Sequence, residues 1–300
     1  MTAPATRITR AAGMLLIHGA WQGSWAWDAW LPEMAARGWT CRAVDLPGNG
    51  AQPSRDGGLA MTLQTYVDAL TDALADFDGP VVVVAHSGAG VPASQLAETL
   101  PERVACIVYV AGMMLPSGMG YADLVEASAA EVPGAAGIAP YLQWSDDRAT
   151  TCVPPAAALD IFLHDCPPDA AREAAARLTP QQESGRALVT SLSDERFGSV
   201  PRIYVEALRD RSVLLPLQRR MQALVPGAIV RSIDCGHVPQ LARAAELATL
   251  VCDALACIGI GSGTSASGDA PASPASTVSS MSAISRSLST LTTPTTGTSS

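Results

Sequence analysis

Pro80-Val-Val-Val-Val-Ala-His-Ser-Gly-Ala-Gly90 decides how this chain folds and where its chemistry sits. Four consecutive valines, Val81 to Val84, read as a strand covered on both faces, because a strand with one wet face alternates apolar and polar residues. The small residues that follow permit a sharp turn into a helix. That turn pushes Ser87 out at the end of the strand in a strained backbone conformation. Such turns usually carry glycine on either side of the serine; here those positions are Ala85 and Ala89, which nearly meet the same demand for little bulk. A serine so placed is a nucleophile in want of a base. The bland alternative is an ordinary strand-to-helix turn, and the rest of the chain must decide.

Outward from this stretch, residues 13–18 and 40–46 read as strands before it. Residues 104–111, 202–207 and 229–233 read as strands after it. Helical patterns lie between them at 27–37, 63–77 and 91–100, and 240–257 makes a closing helix. Pro92 falls in the first turn of its helix, where proline is tolerated. Strands alternating with helices imply an α/β fold with a doubly wound, mostly parallel sheet. Between about residues 115 and 193 the alternation stops. Three short helical stretches, at 122–132, 155–166 and 168–178, read as a helical lid inserted between sheet strands, over the edge where open α/β sheets bind ligands.

Composition limits the remaining possibilities. The chain of 300 residues carries a formal net charge of −9 and few aromatics, so nucleic-acid binding is not expected. No apolar run approaches the ~20 residues of a membrane helix, and no signal-peptide core is evident, so a cytoplasmic location is expected. The seven cysteines form no CxxC pair and read as free thiols in a reducing compartment, with a Cys152–Cys166 bridge left open. All basic residues are arginine, which removes every lysine-based mechanism and fits a GC-rich bacterial genome. Residues 259–300 are dominated by Ser and Thr with few large apolar groups, and are expected to be a disordered tail after a domain spanning 1–258.

A serine hydroxyl becomes a useful nucleophile when a base takes its proton and an acid orients that base. Four histidines compete for the role of base. His86 precedes Ser87 and should point the opposite way; His164 lies in a lid helix beside Phe162 and Leu163; His18 ends the first strand and shapes the loop after it. His237 sits in a loop between the last strand and the closing helix, next to Gly236, and is the candidate base. Asp210 lies just past the strand at 202–207 and is the candidate acid; Glu206 lies inside that strand and Asp234 is too close to the base in sequence. The oxyanion hole needs two convergent backbone N–H groups. Gly88 follows the nucleophile at a helix N-terminus, and Ala20 lies in the loop after the first strand, where Gly19 permits a close approach.

The order Ser87, Asp210, His237 and the motifs around it resemble the α/β-hydrolases, in particular the plant methylesterase and hydroxynitrile lyase group and related bacterial carboxylesterases. The resemblance covers roughly residues 13–257. It rests on His18-Gly-Ala with Gly23-Ser-Trp-Ala-Trp27, on Ala43-Val-Asp-Leu-Pro-Gly48, on Ser87 and its neighbours, on Tyr109-Val-Ala-Gly-Met113, and on Asp194-Glu-Arg-Phe-Gly-Ser-Val-Pro-Arg-Ile-Tyr204. It implies a carboxylic ester hydrolase acting on small, mostly apolar esters through an acyl-enzyme, without metal or organic cofactor. Trp21, Met113, Trp144 and Phe162 are candidates for its apolar pocket, and a homodimer is the assembly the group often adopts. The lyases of the group are similar to one another in having threonine after the first-strand histidine and lysine after the catalytic one; here these are Gly19 and Val238, which argues against lyase chemistry. Lactonase or thioesterase chemistry would use the same residues. From a different class, a ligand-binding receptor built on the hydrolase fold has no need of a complete triad.

Overall fold

The computed structural model describes residues 9–51 and 60–263. Six parallel strands form its central sheet: β1 (Gly13–Ile17), β2 (Cys41–Val44), β3 (Val81–His86), β4 (Val104–Val110), β5 (Arg202–Ala207) and β6 (Ile229–Ile233). Their spatial order is β6-β5-β4-β3-β1-β2. The chain therefore starts one strand in from an edge, adds β2 as that edge, returns to the other side of β1, and winds outward through β3, β4, β5 and β6. The direction of winding reverses between β1 and β3, and a crevice opens at the carboxyl ends of the strands flanking such a reversal. That crevice fixes where the site can be.

The burial pattern explains why β3 reads as it does. All four valines are fully buried. Val81 and Val83 face a layer built from Tyr66, Val67 and Leu70 of α2 (Leu63–Leu74) and Leu96 of α3 (Gly90–Thr99). Val82 and Val84 face the opposite layer, with Trp27, Trp30, Met34 and the helix Ala244–Cys257 that supplies Leu247, Val251 and Leu255. Period-two alternation with helices on both sides makes every position apolar.

Several boundaries differ from the sequence reading for local reasons. The helix expected over 27–37 divides into a 3-10 turn at Ser24–Trp27 and a short α1 at Leu31–Ala35. The closing helix is broken at Arg243, whose φ of −144° interrupts Pro239–Ala242 and Ala244–Cys257. At the C-terminal side, Gly261–Ser262 pairs in parallel with Arg10–Ala11, so ordered pairing continues past residue 258. The rest of the Ser/Thr-rich tail, 264–300, lies outside the described residues.

Between β4 and β5 the insertion holds α4 (Tyr121–Ser128), a short helix Pro155–Ala157 that runs into a π-helical turn at Ala158–Phe162, and α5 (Pro168–Ala176). It also holds a three-stranded antiparallel sheet of Gln143–Trp144, Thr150–Cys152 and Gln181–Gln182, which the helical expectation did not include. Strands of two or three residues leave no readable periodicity. Among the described residues no helix is long and apolar enough to cross a membrane.

Candidate active site

Ser87 occupies the turn between β3 and α3 with φ +54°, a left-handed conformation that costs a non-glycine residue about 1–3 kcal/mol. The surrounding backbone holds it there: Met113 N–H donates to the Ser87 carbonyl at 2.9 Å. The need for small side chains falls one residue later than the motif suggests. A Cβ on Gly90 would lie 2.6–2.9 Å from backbone atoms of Met113, closer than any real side chain tolerates. Ala85 and Ala89 are simply buried without conflict.

Three loops converge on this serine. His237 Nε2 lies 3.1 Å from Ser87 Oγ, and His237 Nδ1 lies 2.7 Å from Asp210 Oδ2. Asp210 is buried, and its Oδ1 accepts the backbone N–H groups of Ser212 (2.7 Å) and Val213 (3.0 Å). A carboxylate can only accept, so Nδ1 carries the imidazole proton. Nε2 is left as the acceptor facing the serine hydroxyl.

Ala20 and Gly88 both line the cavity beside Ser87. The amides on either side of Ala20 are already bonded, Gly19 N–H to Gln22 Oε1 and Trp21 N–H to Gln181 Oε1, each at 3.2 Å. Trp21 has φ +61°, a left-handed conformation in the loop beside Ser87. Gly19 is required by contact: a Cβ there would come 2.8 Å from His86 Nδ1 and 3.0 Å from Ser87 Cβ.

The other histidines hold framework positions. His18 accepts the Leu46 N–H through Nε2 (3.0 Å) and so donates from Nδ1 to Gly19 O (2.8 Å); burial pushes its pKa down, in keeping with a neutral ring. His86 lies closer to His237 than its place before Ser87 suggests, with ring centroids 4.8 Å apart. Its ring lies between two acceptors, the His237 carbonyl oxygen 2.8 Å from Nε2 and Gln22 Oε1 3.0 Å from Nδ1, and burial holds its pKa well below the usual range. The sequence offers no signal for this, because the two residues are 151 positions apart.

Ser87 opens onto a cavity of about 580 Å³ walled on one side by the β1 and β3 loops and on the other by the insertion. Trp21, Met113 and Trp144 line it, as do Tyr66, Tyr121 and Leu188, which the sequence reading did not single out. Tyr66 sits on the buried face of α2 and reads as core from its spacing. Burial raises the pKa of Tyr66 and Tyr121, so both phenols stay protonated. Arg186 also lines the cavity, stacked 4.7 Å over the Trp21 ring and paired with Glu183 at 2.6 Å. Phe162 is not on the cavity wall: it packs against Trp21 and against the His237 imidazole, with ring centroids 5.9 and 5.2 Å away. Cys152 and Cys166 are free thiols rather than a bridge, and burial pushes Cys166 up to about 12. Among the described residues no three His, Cys, Asp or Glu side chains group as metal ligands.

A sheet that reverses its winding at a strained serine, with an acid and a histidine delivered from the ends of later strands, defines the α/β-hydrolase class. The model of the Alpha/beta hydrolase family matches residues 14–250, and the chain belongs to that family. It is 30% identical to Methylesterase 7 of Arabidopsis thaliana over 258 residues, covering 79% of this chain and 94% of that protein. It is 26% identical to a pyrethroid hydrolase of Sphingobium wenxiniae over 253 residues, covering 80% and 86% respectively. The crystal structure of a pyrethroid hydrolase from Sphingobium faniae JZ-2 superposes with a TM-score of 0.72 at 26% identity, over 83% of this chain and 98% of that one.

Proposed function

We propose that this chain is a serine carboxylesterase that cleaves neutral, largely apolar esters through an acyl-enzyme. The enzyme class rests on family membership and on relatives named for ester hydrolysis. The catalytic assignment rests on one observation above the others: the unbroken relay Ser87–His237–Asp210, at 3.1 and 2.7 Å, with the strained serine on a cavity wall.

Ser87 Oγ attacks the ester carbonyl carbon while His237 Nε2 takes the hydroxyl proton. The carbonyl oxygen becomes an oxyanion held by the N–H groups of Ala20 and Gly88, each worth ~3 kcal/mol in the transition state. The tetrahedral intermediate collapses and expels the alcohol, which receives its proton from His237. Water then attacks the acyl-enzyme with the same base, releasing the acid and restoring Ser87. Asp210 keeps the imidazole in the tautomer that accepts at Nε2 and stabilises the imidazolium. The apolar majority of the wall, with Met113, Val91, Pro92 and Leu188, favours apolar acyl or alcohol groups. A cavity of about 580 Å³ is in the range that encloses drug-sized ligands, so the class extends from small to mid-sized esters.

Hydrolysis of p-nitrophenyl acetate and butyrate by the wild type and by Ser87→Ala tests this reading. Loss of the nucleophile is expected to lower the rate by ~10⁴–10⁶-fold. An inert wild type, or a Ser87→Ala variant that keeps most of its activity, defeats the esterase reading and favours a ligand-binding protein on the same fold.

A further inference from the structure

The insertion reaches the histidine loop through two contacts that lie outside the triad. Leu163 N–H bonds to Ala158 O at 3.0 Å, closing the π-helical turn Ala158–Phe162. Such turns are rare and concentrate at functional sites. This one presents buried Phe162 to His237, with ring centroids 5.2 Å apart and planes inclined by 30°. Three residues further on, Asp165 accepts the backbone N–H of Gly236 at 2.7 Å through Oδ2. The Asp165 side chain is only 7% exposed, and Arg209 Nη2 lies 3.5 Å from the same oxygen. Gly236 is the residue directly before His237.

Glycine is what lets the insertion dock this closely. A Cβ on Gly236 would lie 2.6 Å from both Asp165 Oδ1 and His164 Cε1. The loop is gripped from its other side by the segment that carries Asp210. Arg209 N–H donates to Cys235 O (2.9 Å), its Nη2 to Asp234 O (2.7 Å), and its Nε pairs with Asp234 Oδ1 (2.9 Å). Residues 234–237 are therefore clamped between the end of β5 and the insertion.

We propose that Phe162 and Asp165 are positioning residues that seat His237, so that docking of the insertion over the cavity and alignment of the base are a single event. The inference rests on the reading of Ser87, His237 and Asp210 as the triad. Neither residue lines the cavity; Phe162 touches the His237 ring and Asp165 the Gly236 N–H, so each acts through the histidine loop. Asp165 holds the backbone that carries the imidazole, and a displacement of ~1 Å at a reacting group can lower a rate ~10²-fold. Phe162 offers an aromatic face to a ring that becomes cationic in the transition state, an attraction that favours the protonated form.

The test uses Asp165→Ala, Asp165→Asn and Phe162→Leu in the full chain, with Ser87→Ala as control. Each is assayed for p-nitrophenyl acetate kinetics, for the rate of fluorophosphonate labelling of Ser87, and for thermal melting. Asp165→Ala is expected to lower kcat and the labelling rate together by ~10–100-fold, with KM changed by no more than about twofold. Asp165→Asn keeps an acceptor for the Gly236 N–H and should recover most of both rates. Phe162→Leu should lower kcat several-fold at unchanged KM, and it serves as the decisive variant if Asp165→Ala does not fold. Folded Asp165→Ala and Phe162→Leu variants with wild-type kcat, or losses confined to KM, overturn the inference while leaving the triad intact. A wild type inert to ester and fluorophosphonate alike overturns the triad reading and this inference with it.

Discussion

The β3–α3 turn and the insertion contribute to the same cavity by opposite means. In the turn, fully buried valines lie between parallel partners β1 and β4, and the strained Ser87 is held by a backbone bond from Met113. In the insertion, strands run two or three residues, and Tyr141, Trp144 and Val189 are 52%, 40% and 46% exposed. The first region tolerates almost no change of shape because backbone packs on backbone. The second puts partly exposed side chains such as Trp144 and Val189 on the cavity wall. On the proposed reading the sheet sets the reaction geometry and the insertion sets the cavity wall, except where Phe162 and Asp165 reach across to His237 and Gly236.

The largest effect that can sharpen this contrast is at the acid. In Asp210→Asn the amide oxygen stays with the Ser212 and Val213 N–H groups and an NH2 donor turns to His237 Nδ1, so the tautomer is lost and kcat should fall by ~10⁴-fold, read from p-nitrophenyl acetate turnover. A fall of less than tenfold would mean that the sheet end does not set the base. Next comes Gly90→Ala, which drives a methyl group into the Met113 backbone. It should destabilise the fold by ~1–3 kcal/mol, lowering Tm by roughly 2–4 °C per kcal/mol.

Trp144→Ala, on the insertion, should change stability by no more than ~0.5 kcal/mol while altering KM several-fold between acetate and butyrate esters. A melting loss equal to that of Gly90→Ala would break the comparison. The smallest expected effect is electrostatic. Burial alone would raise the pKa of Glu206, but bonds from Arg219, Ser232 and Gln222 outweigh it and hold the carboxyl below its ordinary value. A depressed pKa means that this group stabilises the fold above the unfolded carboxyl pKa of ~4.3. The contribution disappears as pH falls through the lower folded value. Acid titration of Tm should accordingly be shallower below pH ~4 for Glu206→Gln than for the wild type.

Much of this molecule is legible before it folds. The valine run, the apolar strands around it and the helical periodicities between them specify a doubly wound sheet, because burial on both faces writes itself into consecutive residues. Once the strands are ordered, Ser87, Asp210 and His237 fall at carboxyl ends of strands or in the loops that follow, where parallel sheets place their ligands. What the tertiary structure alone decided are relations across long separations. Phe162 turned away from the cavity onto His237, His86 bonded to the carbonyl of a residue 151 positions later, and the steric demand of the turn fell on Gly90 through a neighbour at Met113. The short antiparallel strands of the insertion belong with these. Local periodicity records which face of an element is buried, but not which distant backbone it is buried against; that is set only when the elements pack.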